Sequence, residues 1–295
     1  MRKSRTAVNF EYYTLRTACA LVNAIPYRLA MALARGAAVL AVRVFKFQRE
    51  RTMARLTQVF PEKSEAEKLQ IATDSLFNVF ANGVEMIRAP KLTREWMDKY
   101  VIEGAEYKDK LQAYVDEGKG AVIMVPHSGN WYMAAWSMAK YGLPLFAIAA
   151  KQRNPKINEW MNRQYGDIEV LCRSEHGILN RIKDYLQNGR AFAILPDLRV
   201  PTPDTEVEFL GHQANVSHGA CMFAVKCNSP IIVAAMERRG GKHAFNHLAT
   251  LRPEGKTAQE LTQEAMKILS AHIMKHPGDW FWYNKRWILE PVHKN

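Results

Sequence analysis

Short apolar runs alternate with helical patterns through the middle of the chain. Five runs predict buried strands, at 121–125, 145–149, 169–172, 191–195 and 231–235. Helical spacing of apolar positions predicts helices between them, at 131–141, 155–166, 176–188 and 217–228. Parallel strands need such crossovers, because the chain has to return to the start of the next strand. The pattern therefore predicts an α/β fold, an αβα sandwich with a mostly parallel central sheet.

Helical patterns also occupy both flanks of this region. Residues 52–96 and 105–117 are predicted to be helical, and Ser64 with Glu67 forms a capping pattern at a helix start. A last helix is expected over 257–276, before an aromatic-rich tail. Because the chain shows no internal repeat and no low-complexity linker, we divide it into a helical extension at 1–50 and one domain at 51–295.

The extension combines apolar side chains with cations. Its apolar stretch at 15–47 is interrupted by Pro26 and by Arg16, Arg28, Arg35 and Arg43. The uninterrupted runs are far shorter than the ~20 residues of a spanning helix, and no secretory signal follows the basic start. A basic amphipathic helix is typical of a membrane interface, with arginines at the phosphates. The alternatives are a helix packed on the protein's own core and, less in keeping with the pattern, a single membrane span.

Composition limits the possible partners. Of 295 residues, 48% are hydrophobic and 24% charged, which excludes a disordered chain. Four scattered cysteines do not make a disulfide framework and suit a reducing compartment. The formal net charge of +12 favours anionic partners, which include nucleic acid, an anionic membrane surface and acidic substrates or carrier proteins.

One loop carries the clearest candidate chemistry. The strand at 121–125 runs into Pro126, His127, Ser128, Gly129 and Asn130. Ligands bind at the carboxyl ends of strands in open α/β sheets, so His127 is a candidate general base. The backbone amides of the three following residues are candidates for an oxyanion or phosphate cradle. A structural histidine and an ordinary turn are the alternatives.

The segment 126–131 resembles the signature loop of the late lipid A acyltransferases and their relatives, within the wider glycerolipid acyltransferase superfamily. Further segments resemble the same family in order along residues 15–287. They are Phe60-Pro61, Asn154-Pro155, Leu195-Pro196-Asp197, Phe209-Leu210-Gly211 and the tail from His276 to Trp287.

The resemblance implies an acyltransferase. The donor would be acyl-acyl carrier protein or acyl-CoA, used as a substrate, with no further cofactor. The acceptor would be a lipid A precursor or another glycolipid or aminolipid, at the cytoplasmic face of the inner membrane. The protein would be peripheral or anchored by its amino terminus. Acyl carrier protein and anionic membrane lipids are the expected partners, and nucleic acid is not expected.

The site departs from the family pattern at one position. The family has an acidic residue five positions after the histidine, and this chain has Tyr132, which is neutral at pH 7. The site can borrow another carboxylate, with Asp197 or Glu85 the best matches to the family, or act on an amine acceptor. The third alternative is a degenerate protein that binds lipids without catalysis. We take His127, Tyr132 and Asp197 as the predicted catalytic residues.

Other residues are candidates for substrate binding or metal binding. We take six residues as candidates for substrate binding: Glu85, Ser128, Gly129, Asn130, Arg153 and Arg173. The resemblance suggests Glu85, and the next three offer the backbone amides of the loop. The arginines suit phosphate groups but are equally typical of a solvated surface. No metal is predicted. The spacing of His212, His218, Cys221 and Cys227 fits no zinc motif, and the pair His272 and His276 lacks the glutamate of an HExxH motif.

Overall fold

The computed structural model describes residues 4–102, 104–200 and 202–290. The strands within these ranges are β1 (Val101–Ile102), β2 (Ala121–Met124), β3 (Leu145–Ala149), β4 (Glu169–Cys172), β5 (Ala191–Ile194), β6 (Thr205–Phe209), β7 (His212–Val216), β8 (Ile231–Arg239) and β9 (Lys242–Leu251). The α-helices are α1 (Arg5–Ala24), α2 (Tyr27–Val39), α3 (Arg49–Val59), α4 (Glu65–Arg88), α5 (Arg94–Tyr100), α6 (Gly104–Asp116), α7 (Trp131–Lys140), α8 (Pro155–Gln164), α9 (Ile178–Gln187), α10 (Gly219–Cys227) and α11 (Ala258–Lys275).

A seven-stranded sheet in the order β1-β9-β8-β2-β5-β3-β4 forms the centre of the molecule. Neighbouring strands are parallel except β8 and β9, which form an antiparallel hairpin. The alternation of side chains along β2 shows the two layers: Val122 and Met124 belong to one core cluster, and Ala121 and Ile123 to the other. Helices cover both faces, so the predicted αβα sandwich is confirmed.

The five predicted strands are all present, and most predicted helices match within about two residues, the usual uncertainty of helix ends. The helical stretch predicted at 52–96 extends further in the structure, from Arg49 at the start of α3 to Tyr100 at the end of α5. The pattern missed β1, β9 and the separate hairpin of β6 and β7. Strand β1 has only two residues, and β6 is a short strand with charged residues on its outer face. In β9, the polar residues Lys242, Asn246 and His247 interrupt the apolar run.

The amino-terminal helices pack on the domain through small side chains. Ala30, Ala34 and Ala38 of α2 are buried, and α2 lies along α4. A π-helical turn at Leu40–Val44 continues α2. Large apolar side chains of this region remain exposed on the opposite side: Phe10, Tyr13, Leu21, Leu29, Leu33, Leu40, Val44, Phe45 and Phe47. No helix in the described ranges has both the length and the apolar character needed to cross a bilayer.

The aromatic tail closes one side of the core. Trp280, Trp282 and Trp287 are buried, and their rings pack against one another. These three buried rings are not accessible for stacking on a ligand or a nucleic-acid base, because stacking needs an accessible ring face.

Candidate active site

The site begins where two neighbouring parallel strands end. Strand β2 pairs with β5 in a register that sets Met124 beside Ile194. After each of these residues the chain has one apolar residue, one proline and then a polar side chain, His127 in one case and Asp197 in the other. The N–H of Val125 donates to the carbonyl of Ile194 at 3.1 Å, which extends the pairing by one residue. His127 and Asp197 therefore lie at the same level of the same sheet edge.

His127 and Asp197 form a dyad. The imidazole Nδ1 is 2.7 Å from Oδ1 of Asp197, and the backbone N–H of His127 donates to Oδ2 at 2.6 Å. The indole Nε1–H of Trp280 donates to the same Oδ2 at 2.7 Å. Because Nδ1 faces the carboxylate, Nε2 is the ring nitrogen left to face a substrate. The imidazole is 16% exposed and its partner is completely buried.

The surroundings keep Asp197 ionised. Burial raises the pKa of its carboxyl group, but the charge of His127 and the hydrogen bonds from His127 and Trp280 lower it by more, so the pKa lies below its usual value. A buried carboxylate with three donors holds the imidazole in one orientation and stabilises imidazolium when the ring takes up a proton.

Tyr132 does not occupy the place of the acidic partner. It lies in the first turn of α7, with its ring 5.4 Å from that of Trp131 and 5.7 Å from that of Trp136. Burial raises its pKa, so the phenol is neutral at pH 7. The expectation that Tyr132 stands in for the carboxylate is wrong, because Asp197 already takes the Nδ1 position of His127.

Glu85 is the other carboxylate that the sequence suggested for His127, and that suggestion is also wrong. Its side chain is fully buried in α4 and binds Tyr27, Asn130, Arg238 and His243. Burial raises the pKa of Glu85, but Arg238 and His243 lower it by more, so the pKa lies well below its usual range. Glu85 supports the site at a distance, since it fixes the side chain of Asn130.

Asn130 caps the helix that follows the loop. Its Oδ1 accepts the N–H of Met133 at 2.9 Å, while its Nδ2 donates to Glu85. The side chain is completely buried. The prediction that the Asn130 side chain contacts substrate is therefore wrong. Asn130 is a positioning residue that holds the His127 loop in place.

The predicted oxyanion cradle is wrong for two of its three amides. The N–H of Ser128 donates to the carbonyl of Pro126 at 2.7 Å, and that of Gly129 donates to the carbonyl of Asp279 at 2.9 Å. Gly129 has a φ of +54°, and a Cβ there would lie 2.1 Å from the carbonyl oxygen of Met236. The loop is packed against the rest of the protein, and these two amides are not available to an anion.

Arg153 and Arg173 follow β3 and β4, so they lie at the same edge of the sheet as the dyad. Both are exposed. Neither lines the cavity beside His127. A role for either arginine in binding phosphate stays a prediction.

An apolar cavity of about 200 Å³ opens beside His127. It runs between α7 and strands β2 to β5, and its lining includes Trp131, Tyr132, Ala147, Val170 and Leu195. No pattern in the sequence predicted this cavity. The available signal was the alanines of β3 and β5, small residues where strands usually have larger ones, which leave space above the sheet.

A larger cleft of about 910 Å³ has several charged residues in its lining. The cations on its walls are Arg28, Arg35, Lys99, Arg238 and Lys242, and Asp279 forms part of its floor. Arg35 is paired with Asp74, which also lines the cleft, and Arg238 is paired with Glu85. Because the carbonyl of Asp279 holds Gly129, the floor of the cleft and the His127 loop are directly bonded.

Comparison with known proteins identifies the family. The family model described as bacterial lipid A biosynthesis acyltransferase matches residues 2–288. A phosphatidylinositol mannoside acyltransferase of Mycobacterium tuberculosis is 22% identical over 212 residues, or 70% of this chain and 66% of the relative. The protein of the same name from Mycolicibacterium smegmatis is 22% identical over 187 residues, or 62% of this chain and 61% of the relative. These alignments thus span less than two thirds of either relative.

A solved structure of a 1-acyl-sn-glycerophosphate acyltransferase of Thermotoga maritima matches 86% of this chain and 99% of its own, with 13% identity and a TM-score of 0.40. The match of the family model extends over nearly the whole chain and includes both halves of the dyad. The protein therefore belongs to the bacterial lipid A biosynthesis acyltransferase family, whose members are acyltransferases that act on lipids or glycolipids.

Proposed function

We propose that this protein transfers a fatty acyl group from an acyl thioester to a hydroxyl or amine of a lipid A precursor or a related glycolipid or aminolipid. His127 is the general base and Asp197 its carboxylate partner. The observation that carries the proposal is the 2.7 Å contact between Nδ1 of His127 and Oδ1 of Asp197 at the mouth of an apolar cavity.

The chemical step follows from this geometry. Nε2 of His127 accepts the proton of the acceptor hydroxyl, and the oxygen attacks the carbonyl carbon of the thioester. The tetrahedral intermediate then expels the thiolate, which takes the proton back from the imidazolium. Asp197 keeps the imidazole in the tautomer that has a lone pair on Nε2, and its negative charge favours the imidazolium.

The cavity beside His127 suits an acyl chain. Its lining is almost entirely apolar, and each methylene buried there contributes about 0.8 kcal/mol of binding free energy. Tyr132 is part of this lining, which gives it a place in the site as a wall of the acyl cavity.

The donor and acceptor are anionic in this proposal. A net charge of +12 favours acyl carrier protein, CoA and phosphorylated lipids. The basic cleft next to the His127 loop offers cations for a phosphate of the acceptor. The names of the mycobacterial relatives, phosphatidylinositol mannoside acyltransferases, support a phosphorylated glycolipid as the acceptor class.

The proposed location is the cytoplasmic face of the inner membrane. The exposed apolar side chains of α1, α2 and the π-helical turn, Phe45 and Leu33 among them, face away from the core. Arg28 and Arg43 belong to the same segment, so lipid tails and lipid phosphates both find partners there. The combination of exposed apolar side chains and arginines favours binding of this segment to an anionic bilayer.

The first experiment compares the wild type with His127→Ala, using labelled acyl-acyl carrier protein or acyl-CoA and extracted host lipids. His218→Ala is the matched control, because His218 also contacts an aspartate, Asp204, at 3.0 Å but lies at the surface. We expect a labelled lipid with the wild type and the control and none with His127→Ala. If no variant forms product while vesicle binding is intact, the protein is the non-catalytic lipid-binding member.

A further inference from the structure

A second cluster of titratable side chains lies beside the turn that carries Trp280. Glu237 of β8 faces His272 at the end of α11 and His276 directly after it. Oε1 of Glu237 is 3.5 Å from Nε2 of His276 and 3.9 Å from Nε2 of His272. All three ligand atoms lie within 4.8 Å of one another, and no other group of three such residues occurs in the described part of the chain.

One atom of the cluster lacks a partner. The side chain of His272 is 94% buried, since only 6% is exposed, and its Nε2 has no hydrogen-bond partner although it faces Glu237 and His276. A buried ring nitrogen that points at a carboxylate and another imidazole, without a bond to either, is the arrangement expected of an empty ligand position.

The carboxylate is held in place from behind. Asn246 donates to Oε1 of Glu237 at 2.9 Å, and Arg239 donates to Oε2 at 2.8 Å. Hydrogen bonds of this kind orient a metal-binding carboxylate. Arg239 takes up Oε2, so Oε1 is the oxygen that faces the two histidines.

We propose that Glu237, His272 and His276 bind a zinc ion. Two imidazole nitrogens and one carboxylate oxygen form a ligand set that Zn²⁺ favours. Ligand atoms about 2.0–2.1 Å from a tetrahedral ion lie roughly 3.3 Å apart. The observed 3.5 and 3.9 Å, and the separation of the two ring nitrogens, which is at most 4.8 Å, therefore have to shorten by side-chain movement when the ion binds. His276 is 31% exposed and lines the basic cleft, which gives the ion an entry route and a fourth position for water.

The bound ion would act through the fold. It would join the end of α11 to β8 and restrain the segment between His276 and Trp280. That segment supplies the indole bonded to Asp197 and the carbonyl of Asp279 that is bonded to Gly129. None of the three ligands lines the cavity of the dyad, so the ion would take no direct part in the proton transfer at His127.

Metal binding itself is the test. The full chain is stripped with a chelator and titrated with Zn²⁺ against a chromophoric competitor. The variants are His276→Asn, Glu237→Gln and, as control, His176→Asn, an exposed histidine in the loop before α9. We expect one Zn²⁺ per chain and affinity at least tenfold weaker in both cluster variants but unchanged in the control. Zn²⁺ should also raise the Tm of the wild type and not that of His276→Asn.

Two outcomes overturn the proposal. One is the absence of stoichiometric Zn²⁺ binding by the wild type, which leaves the cluster as a set of hydrogen-bonding groups. The other is equal binding by His276→Asn, provided that its melting curve in chelator matches the wild type. Because the readouts are Zn²⁺ affinity, stoichiometry and Tm, the result stands whether or not acyl transfer is observed.

Discussion

Asp197→Asn changes the dyad with little change in shape. Oδ2 of Asp197 receives two N–H donors, the backbone amide of His127 and the indole of Trp280. The amide oxygen of asparagine therefore takes that place, and its NH₂ group faces Nδ1 of His127. Nδ1 then has to accept a hydrogen bond, which puts the ring proton on Nε2. The variant holds the imidazole in the tautomer that cannot act as a base at Nε2.

The expected loss of rate is large and the loss of stability moderate. The wrong tautomer and the missing charge cost about 10⁴-fold in kcat in the analogous dyad of serine proteases, or roughly 5 kcal/mol of barrier. Two of the three hydrogen bonds remain, now to a neutral acceptor, and the third is reversed, so we expect a decrease of about 1–3 kcal/mol in the free energy of unfolding. The pKa of Asp197 is lower in the folded protein than in the unfolded chain, where it is about 3.9. The ionised carboxylate therefore stabilises the folded state fully at pH values above about 3.9. This stabilisation is lost as the pH falls through the lower pKa of the folded protein.

The assay is transfer of a labelled acyl group at pH 7.5, alongside urea unfolding of the same preparations. Asp204→Asn is the matched control, because Asp204 contacts Nδ1 of His218 at 3.0 Å at the surface, and it should keep wild-type activity. A folded Asp197→Asn protein that retains more than about a tenth of the wild-type rate, a barrier change under ~1.4 kcal/mol, refutes the assignment of Asp197.

Three further changes test the surroundings of the dyad. Tyr132→Phe should lower the rate of acyl transfer by less than about tenfold, because the partner of His127 is Asp197 and not Tyr132. A gain of activity in Tyr132→Glu would contradict the assignment of Asp197 as that partner. Gly129→Ala should lower the free energy of unfolding in urea by more than about 2 kcal/mol, because the added Cβ would meet the carbonyl oxygen of Met236. Unchanged stability would show that the His127 loop can move to make room for the methyl group. Glu85→Gln should lower the free energy of unfolding by about 3–5 kcal/mol at pH 7, because it leaves Arg238 buried without its carboxylate. The difference from the wild type should become smaller at acid pH, once the pH falls below the lowered pKa of Glu85. An equal loss of stability at every pH would contradict a role for the charge of Glu85.

Local patterns predicted much of this fold. A buried strand needs only a few consecutive apolar residues, so β2 and β5 were evident from the sequence, and so were His127 and Asp197 directly beyond them. The family segments pointed to the same two positions. Strand β9 was missed because its stability comes from pairing with β8 and not from its own residues, several of which are polar.

The sequence alone determined that a histidine and several carboxylates follow or flank the sheet, but not which of them meet. The tertiary structure decided this when it set β5 directly beside β2, in a register that brings Asp197 to His127, and turned Glu85 toward Arg238. The same holds for Glu237, which reaches His272 and His276 only through the packing of α11 on β8. Hydrophobic periodicity is a property of neighbours along the chain, whereas strand order and side-chain partners depend on contacts between residues far apart in sequence.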